Sequence, residues 1–174
     1  ALGGGIVGDV AGFVAATYLR GVPFMQIPTT LLAQIDSSIG GKVAVDHGRL
    51  KNKIGAFYQP KLVISDTDTL RTLPRDELAN GLAEVIKTAV IMDKDFFSFL
   101  EKNIDGILAL DGQLVEEMVY TASKLKVSVV EQDEKEENLR AILNFGHTVG
   151  HAVESVSGFD MKHGQAVALG MLAA

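Results

Sequence analysis

Between Arg140 and His151 the chain reads Arg140-Ala-Ile-Leu-Asn144-Phe-Gly-His147-Thr-Val-Gly-His151, and this stretch constrains the fold more than any other. At about 100° per residue, Arg140, Asn144, His147 and His151 share one narrow stripe, while Ile142, Phe145, Val149 and Val153 take the far side. The pattern predicts one continuous helix that is apolar apart from a single polar stripe. Gly146 and Gly150 edge that stripe, where side chains would hold a neighbour away, so close packing of a second helix is expected there. A merely solvated stripe would carry Glu and Lys. This one carries a guanidinium, an amide and two imidazoles, groups that bind metals, phosphates and carboxylates. Three of the four His (147, 151 and 163) fall in the last thirty residues, which points to a functional site there.

With 174 residues, 47% of them hydrophobic, the chain can bury one substantial core or two small ones. It has no Cys, which excludes disulfides, thiolate chemistry and Cys-based zinc sites. A net charge of −6 argues against nucleic acid or an anionic membrane as partner, so its basic residues must act locally. No run of eighteen apolar residues and no charged leader are present, and a cytoplasmic enzyme is the default expectation. The opening Ala1-Leu2 lies directly before a glycine cluster, without an initiator Met. It reads as the end of a strand whose start is absent, and a fragment of a longer protein is expected.

Gly3-Gly-Gly5-Ile-Val-Gly8-Asp9 has the spacing G-x-G-x-x-G, followed by Val10, Phe13, Val14 and Thr17 at helical spacing up to Arg20. Such a strand–turn–helix lets backbone N–H groups and the helix dipole meet a pyrophosphate. An acidic residue some twenty positions on, which would take a ribose hydroxyl, is lacking, and a plain tight turn stays open. Phe24 to Ile27 reads as a second strand stopped by Pro28, with Thr29 and Thr30 capping an apolar helix through Leu31, Leu32 and Ile35. Strand, helix, strand, helix predicts a parallel sheet. Asp36-Ser-Ser-Ile-Gly40-Gly41-Lys42 then presents a Lys beside hydroxyls on a flexible glycine pair, either as a phosphate loop or as a helix end with a solvated Lys. Lys51-Asn52-Lys53 adds further donors, and Leu62 to Ile64 is another strand candidate.

Near Leu70 to Pro74 the pattern turns helical, and a domain boundary is expected there. Helices are predicted over Asp76–Met92, Phe96–Asn103 and Leu114–Glu131. The charged run Glu131–Glu137 reads as a solvated turn, and a last apolar helix opens at Lys162-His163-Gly164. Glu84 and Lys87 sit three apart among Leu82, Val85 and Ile86. They form either a surface ion pair or a buried carboxylate that needs a partner. Two or three His with one carboxylate suit Zn²⁺ with an open coordination position. Spacing alone nominates His147 and His151, with His163 and Glu84 competing for the other places. The absence of the Glu of H-E-x-x-H disfavours a zincin protease.

In order and from end to end, several stretches of the sequence resemble the 3-dehydroquinate synthase family. They are Gly3 to Asp9, Arg20-Gly21, Pro28-Thr-Thr-Leu-Leu32, Asp36 to Lys42, Lys51-Asn52, Gly55-Ala-Phe-Tyr-Gln-Pro60, Gly81-Leu-Ala-Glu-Val-Ile-Lys87, Leu143 to His151 and His163-Gly164. The resemblance implies an α/β plus all-α architecture. A truncated NAD-binding α/β domain (1–72) would be followed by a helical metal- and substrate-binding domain (73–174), with further N-terminal strands and a C-terminal helical part missing. It implies conversion of 3-deoxy-D-arabino-heptulosonate 7-phosphate to 3-dehydroquinate and phosphate in the shikimate pathway. NAD would act catalytically through oxidation of a ring hydroxyl, phosphate elimination, re-reduction and aldol closure. By motif position Glu84, His147 and His163 would hold Zn²⁺ or Co²⁺, and His151 passes to the substrate side. Lys42 and Asn52 would hold the phosphate, with His151 near it and Arg20 reaching in from the second subunit of a homodimer. Lys126 and Arg140 would clamp the carboxylate and Asn144 a hydroxyl, with Asp36 and Lys87 completing the pocket. Gly5, Ile6, Val7, Gly8, Asp9, Thr29, Thr30, Lys42, Lys51, Thr69, Leu70, Arg71 and Thr72 would line NAD. Gln165 replaces a more usual Glu and Asp46 a more usual Asn, neither at a ligand position, and the missing C-terminal part would normally supply another Lys to the phosphate. Other sugar-phosphate cyclases, such as aminodehydroquinate or 2-deoxy-scyllo-inosose synthases, are the nearest alternatives. A metal-dependent glycerol or alcohol dehydrogenase and a non-catalytic helical binding module are the more distant ones.

Overall fold

A computed structural model describes residues 1–48, 50–158 and 161–174, without the side chains of Leu50 and Lys51. Strands β1 (Leu2–Gly3), β2 (Met25–Pro28) and β5 (Leu62–Val63) form a parallel sheet in the order β1–β2–β5, with Leu2 opposite Ile27 and Met25 opposite Leu62. Helix α1 (Gly5–Thr17) follows β1 at once, giving the strand–turn–helix that the glycine motif requires. It stops at Thr17, short of the expected Arg20, because Leu19 and Arg20 take left-handed backbone (φ 49° and 66°). The chain then folds back under α1, where the Val22 amide donates to the Ala15 carbonyl at 2.8 Å before β2 begins.

After Pro28, Thr30 Oγ1 accepts from the Ala33 amide at 3.2 Å, the cap expected of this Thr, and the helix widens into a π turn over Ala33–Ser37. Buried Gln34 ties that turn to the next segment by donating to the Asp66 carbonyl (2.9 Å) and to Thr69 Oγ1 (3.1 Å). Residues read from sequence as a donor-bearing loop instead form an antiparallel hairpin, β3 (Lys42–His47) with β4 (Leu50–Phe57), lying against α1. Its cue was the alternation of Val43 and Val45 around Ala44, with Val43 buried against Gly12.

Helices α2 (Arg75–Met92), α3 (Lys94–Leu108) and α4 (Gly112–Gln132) match the three apolar repeats in the sequence. Asp93 caps α3 through the Phe96 amide, and Asp111 caps α4 through Gln113 and Leu114. The core they enclose joins Leu82 and Val85, Phe96 and Ile107, and Met118 and Ala122 with Leu31, Ile35 and Leu70 from before the expected boundary. One apolar cluster therefore spans both sides of residue 72.

The continuous helix expected from Arg140 onward is not formed. Leu139–Asn144 makes a tight 3₁₀ turn, Phe145 is extended, and Gly146 takes φ 77° before α5 (His147–Val156) starts. A left-handed residue cannot continue a right-handed helix, so Gly146 divides the stripe into two pieces. Helix α6 (His163–Ala173) then packs on α5 and α2.

Candidate metal and anion site

Glu84 faces inward from the middle of α2 and is only 1% exposed, while Lys87, one turn on, is 3% exposed and pairs with Glu84 Oε2. The surface ion pair is thereby corrected, because both groups lie under α5 and α6. Burial alone would raise the Glu84 carboxyl, but the His163 imidazole and the Lys87 ammonium outweigh it and hold the group below its ordinary value. The other oxygen, Oε1, is fully buried and receives no hydrogen bond. Two imidazole nitrogens face it instead, His147 Nε2 at 3.7 Å and His163 Nε2 at 3.5 Å.

Glycine packing fixes this convergence. The Gly164 amide donates to Asn80 Oδ1 at 2.6 Å, docking the start of α6 one turn before Glu84 on α2. Gly146 and Gly150 meet the Val167 and Ala166 backbone of α6, the close approach expected of them, which brings His147 onto the same point. His147 Nδ1 lies 3.2 Å from the Phe145 carbonyl, which assigns the proton to Nδ1 and leaves the Nε2 lone pair turned to Glu84. Burial and the Lys87 charge lower the His147 pKa and favour that neutral ring. His163 is raised by its interaction with Glu84, against the effect of burial.

One ligand atom from each of Glu84, His147 and His163 lies within 4.8 Å of the others. An orphaned buried carboxylate oxygen opposed by two imidazoles is a donor set that fits a divalent cation. His151 stands beside them, its ring 5.3 Å from that of His147, but it is exposed. A second group, His151, Glu154 and His163, meets the same distance criterion. The i, i+4 pair nominated by spacing is thus adjacent in space, but the buried carboxylate belongs with His147 and His163.

Next to this centre lies a cationic group. Lys126 donates to the Asp36 carbonyl at 2.5 Å and pairs with its carboxylate. Burial would raise Asp36, yet the Lys126 and Lys87 charges outweigh it and hold the group well below the carboxylate range. Arg140, buried, donates to the Gly40 carbonyl (3.2 Å) and the Glu134 carbonyl (2.6 Å). Lys42 is lowered by burial and by the nearby Arg140 and Lys126 charges. Three cationic side chains that feel one another's charge are chemistry that suits an anion. In this structure Lys42 is paired with Glu136, which also accepts from Asn144 Nδ2 at 3.0 Å.

The charged run expected as a solvated turn is therefore partly structural. Glu136 engages the site, and Asp133 accepts from the backbone amides of Glu137, Asn138 and Arg140. Glu136 escaped the sequence reading because its neighbours are charged. Glu154 also escaped, although seven residues after His147 is the same helical face.

Between the start of α1 and the hairpin, a cavity of ≈ 360 Å³ is lined by Asp9, Lys42, Asn52 and Lys53 among others. Burial, with the Asp36 charge adding to it, pushes Asp9 up to about 6. The glycine turn abuts the Thr30 side chain. Ile6 and Val7 are exposed, Thr69 lies on the 3₁₀ turn Thr67–Thr72, Arg71 pairs with Asp68, and Leu70 is sealed in the core. Only the Leu70 backbone can face a ligand. Arg20 is exposed beyond α1, and the side chain of Lys51 lies outside the described residues.

Residues 1–80 match the family model for the 3-dehydroquinate synthase N-terminal part, and residues 81–174 that for its C-terminal part. The 3-dehydroquinate synthase of Desulforamulus reducens is 66% identical over 175 residues, and that of Pelobacter propionicus is 60% identical. Both alignments take in 100% of this chain and 49% of the relative, so the chain spans about half their length. Among solved structures, 2-epi-5-epi-valiolone synthase of Streptomyces hygroscopicus subsp. jinggangensis 5008, bound to NAD⁺ and Zn²⁺, superposes with TM-score 0.91 at 32% identity. That match covers 98% of this chain and 48% of the other. A 2-deoxy-scyllo-inosose synthase with carbaglucose-6-phosphate, NAD⁺ and Co²⁺ gives TM-score 0.93 at 34% identity, over 100% and 47%. Matched across its whole length by the two halves of one family, and with relatives at 60% identity and above, this chain belongs to the 3-dehydroquinate synthase family.

Proposed function

We propose that the chain is the central portion of a 3-dehydroquinate synthase of the shikimate pathway, a cytoplasmic homodimeric lyase. It would convert 3-deoxy-D-arabino-heptulosonate 7-phosphate to 3-dehydroquinate and phosphate. The observation that carries this reading is the orphaned Glu84 oxygen facing His147 and His163 beside the Lys42, Lys126 and Arg140 cations. Relatives of that name at 55–66% identity, against 32–34% for the other cyclases, favour it over a sister cyclase.

Glu84, His147 and His163 would hold the divalent cation. Gly5 to Asp9, Thr29, Thr30, Lys42, Lys51 and Thr69 to Thr72 would hold NAD. When bound, these groups supply transient hydride acceptance and stabilisation of an alkoxide. The chain's own residues then do the positioning. Lys42 and Asn52 grip the phosphate with His151 near it, Lys126 and Arg140 the carboxylate, and Asn144 a hydroxyl, while Asp36 holds the Lys126 ammonium and Lys87 holds the Glu84 carboxylate. Arg20 serves the neighbouring subunit. The division into an NAD-binding part (1–72) and a metal- and substrate-binding part (73–174) belongs to the same reading.

The test gives the full-length protein the heptulosonate phosphate with trace NAD and counts phosphate released per NAD. Many turnovers per NAD are expected. A one-to-one rise in NADH without phosphate would select a metal-dependent dehydrogenase, and turnover only with a different sugar phosphate would select a sister cyclase.

A further inference from the structure

Glu154 lies on α5 two turns beyond His147 and is 8% exposed. Its Oε1 sits 3.4 Å from His163 Nδ1, and among the described residues His163 is the one basic side chain paired with it. The neighbouring Ser157 hydroxyl donates to the Glu154 backbone carbonyl and so leaves the carboxylate to the imidazole. A carboxylate this buried is costly unless a donor meets it.

The two nitrogens of His163 face opposite carboxylates, Nδ1 toward Glu154 and Nε2 toward the orphaned Glu84 Oε1. A neutral imidazole carries one proton, and an acceptor at Nδ1 keeps it there, leaving the Nε2 lone pair free. His147 is arranged in the same way, with the Phe145 carbonyl on Nδ1 and Nε2 toward Glu84. Both rings thus have an acceptor on the outer nitrogen and the same carboxylate oxygen before the inner one.

We propose that Glu154 is a positioning residue that fixes the tautomer and orientation of His163, so that Nε2 is presented to a divalent cation held with Glu84 and His147. This rests on reading Glu84, His147 and His163 as the cation site. The alternative role, Glu154 as a ligand with His151 and His163, requires His163 to turn its other nitrogen to the ion and uses an exposed His151.

The full-length apoprotein is titrated with Co²⁺ alone, with affinity read by competition against a chromophoric chelator and geometry by the visible absorption of bound Co²⁺. Loss of an outer-shell partner weakens metal binding roughly 10- to 100-fold. Glu154→Ala is therefore expected to bind one Co²⁺ that much more weakly and with a shifted spectrum. Glu154→Gln, which keeps an acceptor and the volume, should recover most of the affinity; it also serves if the Ala variant does not fold. Affinity within twofold of the parent in Glu154→Ala, with binding lost in His163→Ala, overturns the role of Glu154 alone. Loss in Glu154→Gln as complete as in His163→Ala makes Glu154 a ligand and likewise overturns it. Unchanged binding in His163→Ala overturns the cation site itself and this proposal with it.

Discussion

Gly164 packs so tightly on Asn80 that a Cβ on the glycine would overlap the Asn80 carbonyl oxygen, while its amide donates to Asn80 Oδ1 at 2.6 Å. That contact sets where α6 starts on α2, and with it how far His163 lies from Glu84. A methyl group has nowhere to go, since the obstacle is backbone. Gly164→Ala is expected to cost about 1–3 kcal/mol, the range for overpacking a close contact, and to weaken metal retention together with stability. Urea unfolding and metal content after dialysis check it. Undiminished retention would mean that α6 adjusts freely.

The two roles assigned to imidazoles separate by substitution. His163→Ala should abolish metal retention, because it removes one of two nitrogens facing the buried Glu84 oxygen, whereas exposed His151 can be replaced by Ala with retention largely intact. Metal analysis of purified variants decides it. Equal loss in both would restore the pair nominated by i, i+4 spacing.

Much of this arrangement was legible in the residues. The apolar repeats through Leu78, Leu82, Val85 and Ala89 located α2, and the glycine spacing located the turn into α1. The single helix expected from Arg140 was not formed, because angular periodicity counts side chains and is blind to the sign of φ at Gly146. The β3–β4 hairpin was hidden because Lys42 and the Lys51-Asn52-Lys53 run look like loop residues, and among the described residues of the ribbon Val43 is the one that is buried. Lys87 and Glu84 could be read as a surface pair from spacing alone. Their burial depends on α5 and α6, which arrive sixty or more residues later.

Gly40 has φ 104°, and a Cβ there would overlap the Arg140 guanidinium. Gly40→Ala should therefore strain the turn and displace Arg140 from the Gly40 and Glu134 carbonyls. Loss of one charge-assisted contact corresponds to roughly 10- to 100-fold weaker binding of an anionic ligand. Calorimetric titration of the full-length protein with the substrate should find this with metal content unchanged. Parent-like affinity would remove Arg140 from the anion site.

Asp9 gives a pH signature of opposite sign to Asp36. Burial raises Asp9 to about 6 from 3.8, so between those values the folded state holds a proton that the unfolded state has released, and stability falls as pH rises through this window. Asp9→Asn removes the effect. The variant's stability relative to the parent should climb from about pH 4 to about pH 6 and then level off. Asp36, held low, stabilises above its ordinary carboxylate value and loses that contribution only in strong acid. Denaturant melts across this range check the first. A variant-to-parent difference independent of pH would mean that Asp9 is not held in its neutral form.

Helices α5 and α6 touch through glycine. Gly146 and Gly150 meet the backbone of α6, and Gly170 returns the contact against Gly146. The gap between His147 and His163 is consequently ruled by main chain against main chain, a spacer that no rotamer can lengthen. Substitutions on the solvent side of α5, at Thr148 or Ser155, can accumulate without detuning the grip on an ion, while a single added carbon at the seam would be felt at once.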